Sequence, residues 1–345
     1  MRLRSAQQGE RRVVATVLTG EALAATGKSR ATPLHLRALP GIWLAVGAVL
    51  SGLFLLLFFA RESLFIKPFD LASCSFYMTT MLAAGLRWRL RHPQSEAQRV
   101  IRDGAEYIGL FTFVVVAGAL ASYPMAAASS GFADVKLEQI DRLLGFNWIA
   151  WYDVVAAHPI LQWGGSLAYQ SIYLSPLLLF CSFAHSGRKV EARGLIAAFW
   201  LAAVITLLLF NMMPARGPLA FLWHGPIPYM PASELYQAQL IPVLRDHYMH
   251  EIALGSLRGL VCAPSFHTTG AVLFILFARH AGALRWPLTI LNLLMLLSTP
   301  VEGTHYLVDM MAGAAVALVA HLAILWVTQS QVVQRRDIRL MTVPR

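Results

Sequence analysis

The chain has 345 residues, 57% of them hydrophobic and only 13% charged, with a mean hydropathy of +0.58. A soluble domain carries about 25% charged residues, so this balance excludes a water-soluble globular protein and indicates an integral membrane protein. The formal net charge of +10 calls for no nucleic-acid partner, because membrane topology accounts for it.

Residues 1–40 form a basic segment without a signal peptide's order of basic start, apolar run and small-residue cleavage site, and the first long apolar run begins at Ile42. This segment is expected to be a cytosolic tail, in which RRVVATVLTGEALAA (11–25) reads either as a membrane-surface helix or as a disordered stretch. Apolar windows close to or above the ~18 residues that cross a bilayer follow at Ile42–Ala60, Leu71–Leu86, Ile108–Ala128, Ser166–Ala184, Leu195–Met213, Pro264–Gly282, Trp286–Thr299 and His305–Val327. A spanning segment must satisfy its own backbone hydrogen bonds, so these windows predict eight helices and an all-α polytopic membrane bundle.

With the N-terminus in the cytosol, 21 of the 28 Lys and Arg residues fall on the cytosolic side. The remainder, such as Lys67, Arg142, Arg216, Arg245 and Arg258, lie outside among Asp134, Glu138, Asp141, Asp153 and Glu251. The expected organisation is a cytosolic tail (1–40), two N-terminal spans (41–88), a six-helix core (104–328) and a cytosolic tail (329–345). Cys74, Cys181 and Cys262 are scattered and form no CxxC pair, so they specify neither a zinc site nor a disulfide framework.

In this topology the segments CAPSFHTTGAVLF (262–274) and EGTHYLVDMMAGAAVAL (302–318) both enter the membrane from outside, and each carries a histidine where its apolar stretch opens, His267 and His305. Ionisable residues in spanning segments are costly and mark sites. Pro264 suits the first turn of one helix and Thr304 the N-cap of the other, which would aim free N–H groups at an anion such as phosphate. His305 and Asp309 are four apart, so on a helix a carboxylate would hold one imidazole nitrogen and leave the other as nucleophile or base. Arg216 and Arg258, in the outer loops, offer guanidinium groups suited to phosphate oxygens.

Each feature also has a plainer reading. A His–Asp pair can be a structural hydrogen bond, and His267 and His305 can be haem ligands, although Asp309 and the arginines suit an anion better. Glu302 reads as an acid favourable to the following helix's dipole, and Tyr169 and Tyr173 as interfacial anchors rather than site residues. The His247–Glu251 pair reads as solvated loop, and the long 214–263 segment as a lid or headgroup selector.

The paired signatures PSFH (264–267) and HYLVD (305–309) resemble those of the type 2 phosphatidic acid phosphatase superfamily. PSFHT with GTHYLVDMMAG, and DRLLGFNWIAWYDVVAAHPIL (141–161) with its capping-type opening, are similar to its inositol phosphorylceramide synthase-like branch, over roughly Glu106–Val327. The resemblance implies that His305 attacks phosphorus, that Asp309 orients it, and that His267 is the acid and then the base. It also implies phosphate binding by Arg258, Arg216 and Ser265, and no metal or other cofactor. The implied substrate is a phosphorylated lipid, with an alcohol such as inositol or a lipid hydroxyl as a further acceptor, at the outer leaflet of a bacterial inner membrane. Both a hydrolase and a transferase are compatible with these motifs, and a non-enzymatic transporter or binding protein is the alternative outside enzymology. The chain departs from the general pattern at Ser298–Thr299, where Ser-Arg would stand, at Phe266 in place of glycine, at Leu209 in place of lysine, and at Gly217 between Arg216 and Pro218.

Overall fold

The computed structural model describes residues 38–341, with side chains described through 329. The basic tail, including the 11–25 stretch, lies outside the described residues apart from its last three positions. Twelve α-helices are present among the described residues. They are α1 (Gly41–Arg61), α2 (Leu71–Arg89), α3 (Glu96–Ala127), α4 (Asp134–Leu143), α5 (Trp148–Ala157), α6 (Pro159–Ser186), α7 (Lys189–Met212), α8 (Pro218–Leu222), α9 (Tyr236–Arg245), α10 (Phe266–Ala278), α11 (Arg285–Glu302) and α12 (Leu307–Met341). The only sheet among them is a two-residue parallel pair, β1 (Phe65–Ile66) against β2 (Glu251–Ile252).

All eight apolar windows fold as helix, and six helices are long and apolar enough to cross a membrane: α1, α3, α6, α7, α11 with its preceding turn, and α12. The window that becomes α2 has the length but also Ser, Thr and two Arg residues. The window at 264–282 yields only 13 residues of helix in α10, about 20 Å at 1.5 Å per residue. Its start is set by Ser265, whose hydroxyl accepts the Thr268 N–H at 3.3 Å. Pro264 therefore precedes the helix, after a cis Ala263–Pro264 bond, instead of occupying its first turn as the sequence suggests. A helix this short needs protein around it to satisfy the chain at its ends, and α10 packs against α6, α7, α11 and α12.

The core is apolar, with a cluster of aromatic rings at its centre. Phe180, Phe183, Phe199 and Phe274 are almost fully buried between α3, α6, α7 and α10. A buried polar tie crosses it, Asn292 Nδ2 donating to Ser175 Oγ at 3.0 Å between α11 and α6. Gly313 permits the close crossing of α12 and α10, since a Cβ there would collide with the Ser265 carbonyl oxygen. Thr269 Oγ1 lies 3.0 Å from that carbonyl and 2.9 Å from the Gly313 carbonyl, so one hydroxyl binds the two helices together.

The two ends of the bundle differ in chemistry. At one end Arg87 and Arg193 both donate to the buried Glu106 carboxylate, each at 2.7 Å, and Arg99 donates to the Ala184 and His185 carbonyls. This is the arginine-rich end that the sequence assigns to the cytosol. At the opposite end gather β1–β2, α4, α5, α8, α9 and the starts of α10 and α12.

Candidate active site

The start of α12 is built by carboxylates from two directions. Asp141 of α4 accepts the Leu307 and Val308 N–H groups, both at 2.8 Å. Asp309, in the first turn of α12, reaches back to accept the Tyr306 N–H at 2.9 Å, as helical side chains that lean toward the N-terminus do. Burial raises the Asp141 carboxyl above its ordinary pKa while these two backbone donors pull it down. Three sequence readings change here. Thr304 is not the cap, because it holds φ +49° outside the helix, and the α12 N–H groups meet the protein's own acids instead of an open phosphate site. Asp141 likewise stands near the end of α4 and caps a distant helix rather than opening its own.

His305 lies just before α12 and is only 2% exposed. Its Nδ1 stands 3.0 Å from Asp309 Oδ1, and neither buried atom has another hydrogen-bond partner among the described residues. The pair thus forms across a turn and the first helical residues rather than along one helix face. Gly303 leaves room for the ring, since a Cβ there would come within 2.5 Å of His305 Cδ2 and 3.0 Å of Tyr169 Cε2. Tyr169 in turn holds the second histidine. Its hydroxyl is 3.0 Å from His267 Nδ1 and the two rings stack with centroids 4.0 Å apart. Tyr169 is therefore part of the histidine cluster and not an interfacial anchor, whereas Tyr173, one turn on, is 76% exposed.

Cys262, His305 and Asp309 bring their sulfur, nitrogen and oxygen atoms within 4.8 Å of one another, a set with metal-ligand chemistry. The thiol is a poor member of such a set. Burial pushes its pKa up, and it donates to the Thr304 carbonyl at 3.7 Å, while Asp309 is committed to His305 and the α12 start.

The phosphate-binding candidates occupy different surroundings. The Arg216 backbone N–H and that of Gly217 donate to Asp134, and Arg216 Nε is 3.6 Å from the same carboxylate. Tyr306 also donates its hydroxyl to Asp134 at 3.0 Å, which brings Arg216 to the residue that follows His305. The Arg216 and Arg245 guanidinium groups both stand over the Phe132 ring, at 5.1 and 4.5 Å, so Arg245 is a cation that motif reasoning missed. Arg258 is exposed over Tyr236, 5.7 Å from the ring centroid, and has no carboxylate within ion-pair distance among the described residues. Burial pushes the Tyr236 phenol up to about 12 against the pull of Arg258. Ser265 is fully buried as the α10 cap. Thr299 and Ser298, where the general pattern has Arg at the first, turn their hydroxyls to the Met295 carbonyl and supply no charge.

Glu302 also departs from its sequence reading. It closes the C-terminal end of α11, where a helix dipole disfavours an acid. Its carboxylate instead accepts from the Tyr229 hydroxyl at 2.7 Å and the Ala232 N–H at 3.1 Å, and its carbonyl accepts from Ser233 N. Burial and then this carboxylate push the Tyr229 phenol up, so it remains a donor. Tyr152 brackets the same tyrosine's backbone, accepting from its N–H and donating to its carbonyl. The 223–235 segment is thereby fastened to the residues leading into His305. Sequence offered no signal for this, since the partners are about seventy residues apart.

No curated protein and no solved structure matches the chain. The family model of the PAP2 superfamily matches residues 135–323, more than half of the chain, and includes His267, His305 and Asp309. The match begins later than Glu106, where the sequence resemblance starts, and leaves α1 to α3 outside it. The chain thus belongs to the PAP2 superfamily and is a phosphatase-type membrane enzyme.

Proposed function

We propose that this enzyme transfers the phosphoryl group of a lipid phosphate through a phosphohistidine at His305. The carrying observation is the buried His305–Asp309 pair beside a second histidine, His267, that Tyr169 holds through Nδ1. Asp309 keeps the proton on His305 Nδ1, which leaves the Nε2 electron pair to attack phosphorus. As the N–P bond forms, the P–O bond to the lipid breaks, and His267 Nε2 gives its proton to the departing oxygen. In the second step the acceptor's O–H proton passes to His267, its oxygen attacks phosphorus, and the P–N bond returns its electrons to His305. Arg258 and Arg216 offset charge on the phosphoryl oxygens, and Ser265 fixes the helix that carries His267.

The acceptor separates two subclasses. Water gives a lipid phosphatase, and an alcohol such as inositol or a lipid hydroxyl gives an inositol phosphorylceramide synthase-like transferase. The 2% exposure of His305, next to the fastened 223–235 segment, favours the water exclusion that a transferase requires. In this reading the arginine-rich end and both termini are cytosolic, and the histidines work at the outer leaflet. The experiment is product analysis by mass spectrometry after incubating purified protein with phospholipids and polyprenyl phosphates, with and without inositol and ceramide. Free phosphate from lipid alone identifies a hydrolase, and a new headgroup–phosphate–lipid that needs an acceptor identifies a transferase. Binding without release of phosphate and without an acid-labile phosphoprotein would overturn the proposal and leave a transporter or binding protein.

A further inference from the structure

His267 forms part of the wall of a cavity of about 560 Å³ bounded by α3, α6, α7, the 254–261 segment and the start of α10, a size within the range of about 300–1,000 Å³ typical of ligand sites. No charged side chain lines it. Along α3 the lining runs from Ser122 beside His267's end of the bundle to Ile108, about 21 Å at 1.5 Å per residue. That depth exceeds the ~15 Å of hydrocarbon in one leaflet. The rim on α6 is Tyr173 and Leu177, 76% and 45% exposed, so the space adjoins the lipid-facing surface. Its deep end is aromatic: the Phe111 ring lies 4.6 Å from Phe199 and 5.1 Å from Phe180, centroid to centroid.

We propose that this cavity receives one hydrocarbon chain of the substrate, with Phe111 as the floor that selects chain length. An uncharged slot that begins at the acid–base histidine, runs toward the membrane midplane and adjoins the lipid-facing surface suits a single long apolar tail whose phosphate rests at the histidines. The inference rests on the reading of the site as a lipid phosphate enzyme. Gly118 lines the slot about 6 Å below Ser122 along α3, and a Cβ built on it meets only Ala203 Cβ, at 3.9 Å, so the Gly118→Leu side chain enters the slot without a backbone collision at its Cβ.

The test uses hexadecyl phosphate carrying a diazirine at the chain end, photolysed with the purified full-length protein in nanodiscs and mapped by mass spectrometry. Adducts at Ile108, Phe111 or Phe180 are expected, reduced at least about tenfold by Gly118→Leu, the equivalent of the overpacking cost of a filled site. Adducts confined to exposed membrane-facing residues such as Trp163 and Leu297, or labelling unchanged by Gly118→Leu, would overturn the inference. Labelling needs no turnover, so it is read separately from the phosphoryl-transfer chemistry: His305→Ala should label normally. In turnover, Phe111→Ala should move the preferred alkyl phosphate to a longer chain, and an unchanged preference with intact folding by gel filtration also counts against the floor.

Discussion

A buried histidine in an apolar chain loses hydration unless its partners repay it, and His305, with Asp309 beside it, has such a partner. His305→Ala is expected to lower turnover by at least ~10³-fold, as loss of a nucleophile does, while the protein still elutes as a folded species. Asp309→Asn keeps the shape and removes the charge that fixes the imidazole tautomer, and a fall of ~10² or more in kcat is expected. Tyr169→Phe removes the hydroxyl from His267 Nδ1. As a positioning change worth about one hydrogen bond, roughly 1 kcal/mol, it should lower kcat several-fold with KM and melting temperature nearly unchanged. A parallel loss of stability would make Tyr169 merely structural. His267, His305 and Asp309 were legible as candidates because motif spacing lies within one short segment each. Tyr169 was not, since its role depends on α6 meeting α10, which no local spacing encodes.

At the scale of elements, the junction of α4, α10 and α12 sets the geometry of the candidate site. Asp141 satisfies two N–H groups of α12 from another helix, and an unsatisfied buried backbone donor costs about 1–3 kcal/mol. Asp141→Ala should therefore lower thermal stability by roughly 2 kcal/mol and disturb turnover, because the residues it anchors immediately follow His305. Thermal unfolding in detergent alongside activity measures both. Gly313→Ala drives a methyl group into the Ser265 carbonyl, so α10 and α12 must part and carry His267 away from His305. Activity should fall far more than helix content measured by circular dichroism, and a variant with unchanged kcat would show that the crossing is looser than described. The sequence marked α10 and α12 through hydropathy, but it placed their starts at Pro264 and His305 instead of Phe266 and Leu307, and it did not mark α4. Capping groups that come from elsewhere in the chain, Asp141 above all, are invisible to a reading that looks for caps next to the helix they serve.

Across the whole molecule, charge divides the two ends of the bundle. Glu106 is held between Arg87 and Arg193 at the end opposite the histidines, and this grouping carries the topology proposal. In a background with Cys74, Cys181 and Cys262 replaced by Ala, Tyr248→Cys should react with an impermeant maleimide on intact cells, and His92→Cys only after permeabilisation. Both positions are exposed and lie at opposite ends, so the reverse pattern would invert the topology. Removing one partner of the buried cluster, as in Glu106→Gln, should cost about 3 kcal/mol by leaving buried guanidinium charge uncompensated, read as a lowered melting temperature. Sequence by itself determined the membrane class and the helical architecture, and it singled out two histidines and an aspartate as candidates, because hydrophobic run length and short motifs are local properties of the chain. Only the tertiary structure decided that Asp141 caps α12, that Glu302 fastens the 223–235 segment, that Tyr169 stacks on His267 and that an apolar slot adjoins it. Each of those joins groups far apart in the chain, and their energies come from contacts that exist only once the helices have packed.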